Sequence, residues 1–298
     1  MAFAEILSAS RANAWRVSGK VVSGRPVPAI MGIVNNTPDS FFDGGKFNSA
    51  DLAYEHAVEL LEAGAAIIDV GGESSRPGST PVPAEEEIRR TVPVIKRLDK
   101  LRSERDFLIS IDTVKSETAA EALKAGADIV NDISALSLDP QMAKLIAETG
   151  AASVLNHMRG NFGTMQLDFK PYENVVEEVK AELEAAAGKL LALNVAPETI
   201  CLDPGIGFGK TAEDNLALIA HAEAFLETGH PVLYGMSRKS FIAKLPGLAH
   251  SDRLIPTVAA GILAALGGAT VIRVHDVFEA RESLALLEAF KNGPVHPV

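Results

Sequence analysis

The 298 residues are 47% hydrophobic and 22% charged, which excludes disordered, fibrous and low-complexity classes and suffices for one large core. Twenty-eight Lys and Arg against 39 Asp and Glu give a formal net charge of −11. That balance repels nucleic acid and anionic membrane, so an anionic ligand must meet locally placed cations.

In chain order, residues 1–28 form an N-terminal extension, in which Val17 to Val22 with Gly24 suits a small hairpin capping the floor of the domain that follows, residues 29–298. Met1 to Trp15 lack the cationic start and sustained apolar run of a secretory signal. Apolar runs near 29–35, 66–71, 107–112, 127–131, 152–157, 199–204, 231–236 and 270–275 predict buried strands. Helical stretches between them include Ser49 to Ala63, Ala84 to Leu101, Ser116 to Ala125, Tyr172 to Leu193 and Phe278 to Phe290. A unit recurs at Gly64-Ala65, Gly126-Ala127, Gly150-Ala151 and Gly268-Ala269: a helix, a glycine to end it, then a β-branched run ending in polar residues. Val258 to Val274, interrupted by Gly267, Gly268 and Arg273, predicts helix, turn and strand rather than a membrane span. Eight alternations without a linker predict the α/β class and a single-domain (β/α)₈, or TIM, barrel. The single cysteine, Cys201, falls in one of the strands; a disulfide framework is ruled out and a reducing, cytoplasmic compartment is expected.

The active site of such a barrel lies at the carboxyl ends of its strands. Here those ends are Asn35, Asp69 with Glu73, Asp112, Asn131 with Asp132, His157, Asp203, Ser237-Arg238-Lys239-Ser240, and Arg273 with His275. Any one alone is most simply a polar cap where a strand leaves the core, but eight together point to a site. Asp112, Asn131 and Asp203 can read the edge of a flat heterocycle rich in amide and amino groups. Arg273, His275 and Asn35 suit an anion or its metal, and Arg238, Lys239 and Arg273 lie near strands 7 and 8, where barrels often bind phosphate.

Glycine-rich loops at 36–45 and 71–78 carry Phe41 and Arg76 and are expected to close over a ligand. Pro204 to Thr211 imitates a phosphate-binding loop, but Pro204 stands where its first glycine is needed, and a flexible turn bringing Phe208 to the pocket mouth is expected instead. The run Glu85-Glu86-Glu87 suits the acidic first turn of a helix and needs no functional role.

These residues resemble the bacterial dihydropteroate synthase family. The matching runs are Met31 to Phe41, Asp69 to Gly78, Ser110 to Thr113, Asn131 to Ile133 and His157-Met158. Asp203 to Lys210, Ser237 to Phe241 and Arg273 to Asp276 follow, in order and at family spacing. The resemblance implies that Asp112, Asn131, Asp203 and Lys239 hold a pterin, with Met158 also at the substrate site. Asn35, Arg76, Arg273 and His275 would then serve a diphosphate and its Mg²⁺, Asn35 toward the metal. Phe41, Ser75, Arg76, Pro77, Phe208, Lys239 and Ser240 would surround p-aminobenzoate, the molecule that sulfonamides imitate. Asp112, Lys239, Arg273 and His275 become the catalytic candidates, and a homodimer is implied. Asn36 and Asn156 depart from the family, which usually has an apolar residue and a methionine there. Two rival readings are a pterin-binding methyltransferase barrel and a pterin-binding barrel without catalysis.

Overall fold

A computed structural model of the chain describes residues 12–24, 26–37, 49–74, 81–160, 171–248 and 252–292. Phe41, Ser75, Arg76 and Pro77 lie outside them, with most of the two glycine-rich loops. Strand β3 (Ala29–Asn35) opens the barrel and is followed by α1 (Ser49–Ala63), β4 (Ile67–Gly71), α2 (Ala84–Leu101), β5 (Leu108–Asp112) and α3 (Ser116–Lys124). The second half runs β6 (Ile129–Asp132), α4 (Met142–Thr149), β7 (Ala152–Asn156), α5 (Val175–Leu191), β8 (Ile200–Asp203) and α6 (Ala212–Ala220). It ends with β9 (Leu233–Tyr234), α7 (Leu254–Leu266), β10 (Val271–Val274) and α8 (Val277–Asn292).

All eight strands are parallel, in the order β8-β7-β6-β5-β4-β3-β10-β9. A single bridge between Leu202 and Val232 closes the seam between β8 and β9, where Leu202 N–H donates to the Pro231 carbonyl at 2.9 Å. Strand β9 is shorter than the 231–236 expected from its apolar run: Pro231 has no N–H to give to the ladder.

Alternation along the strands sorts side chains into two apolar layers. Ile68, Val70, Ile109, Ile111, Val130, Leu155 and Leu202 face the helices. Met31, Ile67, Leu108, Ile129, Val154, Cys201, Leu233 and Val271 fill the lower interior. The floor beneath them is covered by an antiparallel hairpin, β1 (Trp15–Val17) and β2 (Lys20–Val22), whose Trp15 and Val17 join the interior cluster. Trp15 is fully buried and its indole N–H donates to Thr199 O at 3.0 Å, so the ring is both packed and satisfied.

The recurrent Gly-Ala unit follows from backbone geometry: Gly64, Gly126 and Gly268 have φ of +109°, +113° and +94°, which turns the chain from helix into strand where a Cβ is strained. Helix α6 begins with a complete capping box, Thr211 Oγ1 accepting from Asp214 N at 3.1 Å and Asp214 Oδ2 from Thr211 N at 2.9 Å. Thr211→Ala is expected to cost about 1 kcal/mol in urea unfolding and to leave KM unchanged.

Candidate active site

The strand register carries the interior positions upward into polar side chains. Asn35 pairs with Gly71, Gly71 with Asp112, and Asp112 with Asn131, placing four neighbouring strand ends at one level. Asp203 shares inward parity with Cys201, Arg273 with Val271, and Asp69 with Ile67. Gly71 leaves room here, since a Cβ built on it would lie 3.6 Å from Asn35 Oδ1 and 3.8 Å from Asp112 Oδ2.

Arg273 is the hub. Its Nε donates to Asp69 Oδ2 at 2.6 Å and its Nη2 to Asp112 Oδ2 at 2.5 Å, while Asn131 Nδ2 donates to the same Asp69 oxygen at 3.0 Å. The arginine that sequence assigns to an anion is therefore already forked between two carboxylates, one of them fully buried. Burial raises the Asp112 carboxyl above the ordinary range, and Arg273 draws it partly back. Burial also raises Asp203, to about 6, although Gly205 N–H donates to its Oδ1 at 2.7 Å.

Lys239 lies on the turn that follows β9. Its Cδ is 3.2 Å from where a Gly207 Cβ would stand, and its Nζ sits 3.9 Å from the Phe208 ring centroid. Burial, then Arg273, lowers its ammonium to about 8, against the pull of Asp203 and Asp112. Phe208 is buried and packs in an apolar wall with Ile133, Val114 and Met158. Ser240 is exposed at the start of a short 3₁₀ turn, at the rim. His275 is half-buried, with Nδ1 3.0 Å from Ser237 Oγ; burial, then Arg273, lowers it to about 4, so the ring is neutral at pH 7.

Three expectations need correction. Arg238 is an exposed side chain in a two-point ion pair with Asp276 (2.8 and 2.5 Å), which takes up the charge assigned to an anion. The Pro204 to Thr211 segment is pinned: Gly205, Gly207 and Gly209 all have positive φ, and Lys210 is buried beneath them. Glu87 is not merely a helix-dipole residue, because it is fully buried, accepting from Lys115 Nζ at 2.9 Å and Thr118 Oγ1 at 3.1 Å. Burial raises its carboxyl, with Lys115 opposing. Lys115 also pairs with Glu73, whose other oxygen accepts from Val82 N at 2.9 Å, so one ion cluster joins the residues on either side of the second glycine-rich loop. The signal for Glu87 was available, since Glu87, Thr91, Val94, Ile95 and Leu98 form one helical face. Of the family departures, Asn36 donates from Nδ2 to Arg90 O at 2.8 Å, and Asn156 donates to Ile133 O at 3.0 Å.

The chain matches the model of the pterin binding enzyme family over residues 31–275. It is 45% identical over 249 residues to the dihydropteroate synthase of Synechocystis, covering 83% of this chain and 85% of that protein. It is 44% identical to that of Escherichia coli, covering 88% and 91%. A solved dihydropteroate synthase of Xanthomonas albilineans with 4-aminobenzoic acid superposes with a TM-score of 0.86 at 38% identity, covering 95% of this chain and all of that one. The Yersinia pestis enzyme with a sulfonamide drug gives 0.85 at 38% identity, covering 94% and 100%. An eight-stranded parallel barrel, its inward polar strand ends and these likenesses together place the chain in the pterin binding enzyme family, among the dihydropteroate synthases.

Proposed function

We propose that the chain condenses 6-hydroxymethyl-7,8-dihydropterin diphosphate with p-aminobenzoate to give 7,8-dihydropteroate and diphosphate. The observation that carries this is the convergence of Asp112, Asn131, Asp203, Lys239 and Arg273 on one barrel mouth, in a chain whose relatives are dihydropteroate synthases. A relative from Xanthomonas albilineans is solved with 7,8-dihydropteroate. The methyltransferase and non-catalytic readings are not favoured, because both the relatives and the intact cationic residues point to the synthase.

In this reading Asp112, Asn131 and Asp203 accept and donate along the pterin edge, and Lys239 lies beside it. The C–O bond breaks first, its electron pair leaving on the diphosphate. The arylamine nitrogen then forms the C–N bond to the pterin methylene carbon and gives up a proton. Asp112 offsets positive charge growing on the pterin, and Arg273 and His275 serve the leaving group, a role the resemblance extends to Arg76 outside the described residues. By the family resemblance Phe208, Lys239 and Ser240 would surround p-aminobenzoate, with Phe41, Ser75, Arg76 and Pro77, which lie outside the described residues. No protein nucleophile is required.

The Asn35 amide oxygen, 3.6 Å from where a Gly71 Cβ would stand, is a hard donor of the kind Mg²⁺ takes. Among the described residues no group of three His, Cys, Asp or Glu could hold a metal, so Asn35 would share the ion with diphosphate oxygens and water, as Mg²⁺ prefers. When bound, Mg²⁺ stabilises charge on the departing diphosphate.

A cytoplasmic homodimer completes the proposal. No helix among the described residues is long and apolar enough to cross a membrane. Ile255 and Leu263 on α7 and Phe278, Leu286 and Phe290 on α8 are large exposed apolar side chains, the kind of surface a second copy covers. The double substitution Ile255→Glu with Leu286→Glu is expected to halve the mass seen by light scattering; an unchanged mass would place the contact elsewhere.

The deciding experiment gives purified protein the pterin diphosphate and Mg²⁺, with and without p-aminobenzoate, and measures diphosphate and dihydropteroate. Arylamine-dependent dihydropteroate establishes the reaction. Pterin binding without diphosphate release would refute it and leave a binding protein.

A further inference from the structure

Beneath the bed on which Lys239 lies is a second lysine, with no carboxylate partner among the described residues. Lys210 is 3% exposed, and its Nζ is surrounded by acceptors alone: His157 Nδ1 at 2.9 Å, Gly205 O at 2.9 Å, Phe208 O at 3.1 Å and His157 O at 3.4 Å. An ammonium has three protons to give and nothing to accept with, so His157 Nδ1 must be the bare nitrogen. The ring proton then sits on Nε2, which donates to Glu182 on α5 at 2.9 Å. The chain of donors thus runs Lys210 to His157 to Glu182, from a neutral imidazole to a carboxylate at the surface.

The carbonyls that Lys210 gathers decide what it does. Gly205 and Phe208 bound the segment that carries both Gly207, against the Lys239 stem, and the Phe208 ring, against its ammonium. The segment is pressed onto the loop after β7 so closely that a Cβ at Gly205 would stand 1.8 Å from His157 O, and one at Gly209 2.6 Å from Arg159 O. A side chain at either glycine is excluded, and the Lys210 ammonium bonds to both loops at that seam. Burial lowers His157 to about 4, so the imidazole is a neutral acceptor at pH 7, and lowers Lys210 to about 7, so its ammonium persists below that pH.

We propose that Lys210, oriented through His157 by Glu182, is a positioning residue that sets Phe208 and the Lys239 ammonium for the arylamine. The inference deepens the synthase reading and rests on it. Lys210 touches no reacting atom in this role, so its loss moves binding more than chemistry.

The test compares wild type with Lys210→Met, Glu182→Leu and Glu182→Gln, assaying well below each variant's Tm. Lys210→Met is expected to raise KM for p-aminobenzoate about 10-fold with kcat within about twofold, a KM-selective effect of lost binding. Should Lys210→Met not fold, Glu182→Leu carries the test, because Glu182 is 45% exposed and Arg159 keeps Glu178 as a partner at 2.8 Å. Glu182→Leu should raise the same KM several-fold, and Glu182→Gln, which still accepts from Nε2–H, should restore it. A lowered Tm with wild-type KM in Lys210→Met and Glu182→Leu would reduce the cluster to scaffolding and overturn the proposal, as would a fall in kcat alone. Calorimetric Kd for p-aminobenzoate, with pterin and diphosphate bound, should follow the same order without turnover. A wild type that binds but makes no dihydropteroate would remove the synthase reading, while the order of those Kd values would still judge this one.

Discussion

Replacing Arg273 by methionine is expected to lower kcat/KM by about 10²–10³-fold, the scale of removing a preorganised charge contact, and to destabilise the fold by about 3–5 kcal/mol. The fork onto Asp69 and Asp112 is why stability falls along with turnover. The variant strands two carboxylates whose one shared cation has gone. Asp112 is already raised by burial and is held down chiefly by Arg273, so its folded value rises further. A group whose folded pKa lies above its unfolded one stabilises at low pH and loses that contribution as pH climbs through the folded value. The deficit against wild type should therefore be larger at pH 8 than at pH 6, which urea unfolding at the two pH values measures. Lysine should not rescue, because one ammonium cannot reproduce a planar fork to two acceptors. A variant with wild-type stability at both pH values would mean that the ion pairs do not form in solution.

The same fork marks where sequence reading stops. Helices α1 and α2 follow their predicted bounds, because each carries one apolar stripe over three or more turns. The strands were legible from β-branched runs and closing polar residues, and inward parity places Asp112, Asn131, Asp203 and Arg273 at one mouth without knowledge of any contact. Periodicity says which way a side chain points but not which side chain it meets. Arg273 reaches Asp69 across 204 residues of chain and Asp112 across 161, distances at which local pattern carries no information. Asp69 was visible only as a strand end for that reason. The Gly205 to Gly209 turn misled in the opposite direction: three glycines suggest freedom, whereas here they are the residues that permit close backbone approach, fixed from below by Lys210.

Lys239→Met is the sharper probe of chemistry, because its ammonium forms no ion pair among the described residues and leans on the Phe208 ring instead. The expected result is a fall in kcat/KM of about 10²-fold, again the scale of one preorganised charge. Stability should stay within about 1 kcal/mol, since the lost cation–π contact is of that order and burial of the charge is relieved. The linkage sign agrees. Burial and Arg273 depress the folded lysine to about 8 from its ordinary value, so the wild type gains stability as pH rises above that value and the methionine variant does not. At pH 7 the charged lysine is the costly form, and its removal offsets what is lost in packing. Activity runs the other way with pH. kcat/KM reports the free enzyme, so wild type should lose activity on an alkaline limb near pH 8 as the ammonium deprotonates. The residual activity of Lys239→Met should cross that range without a matching fall. Persistence of the same limb in the variant would assign it to another group and take Lys239 out of the titrating machinery.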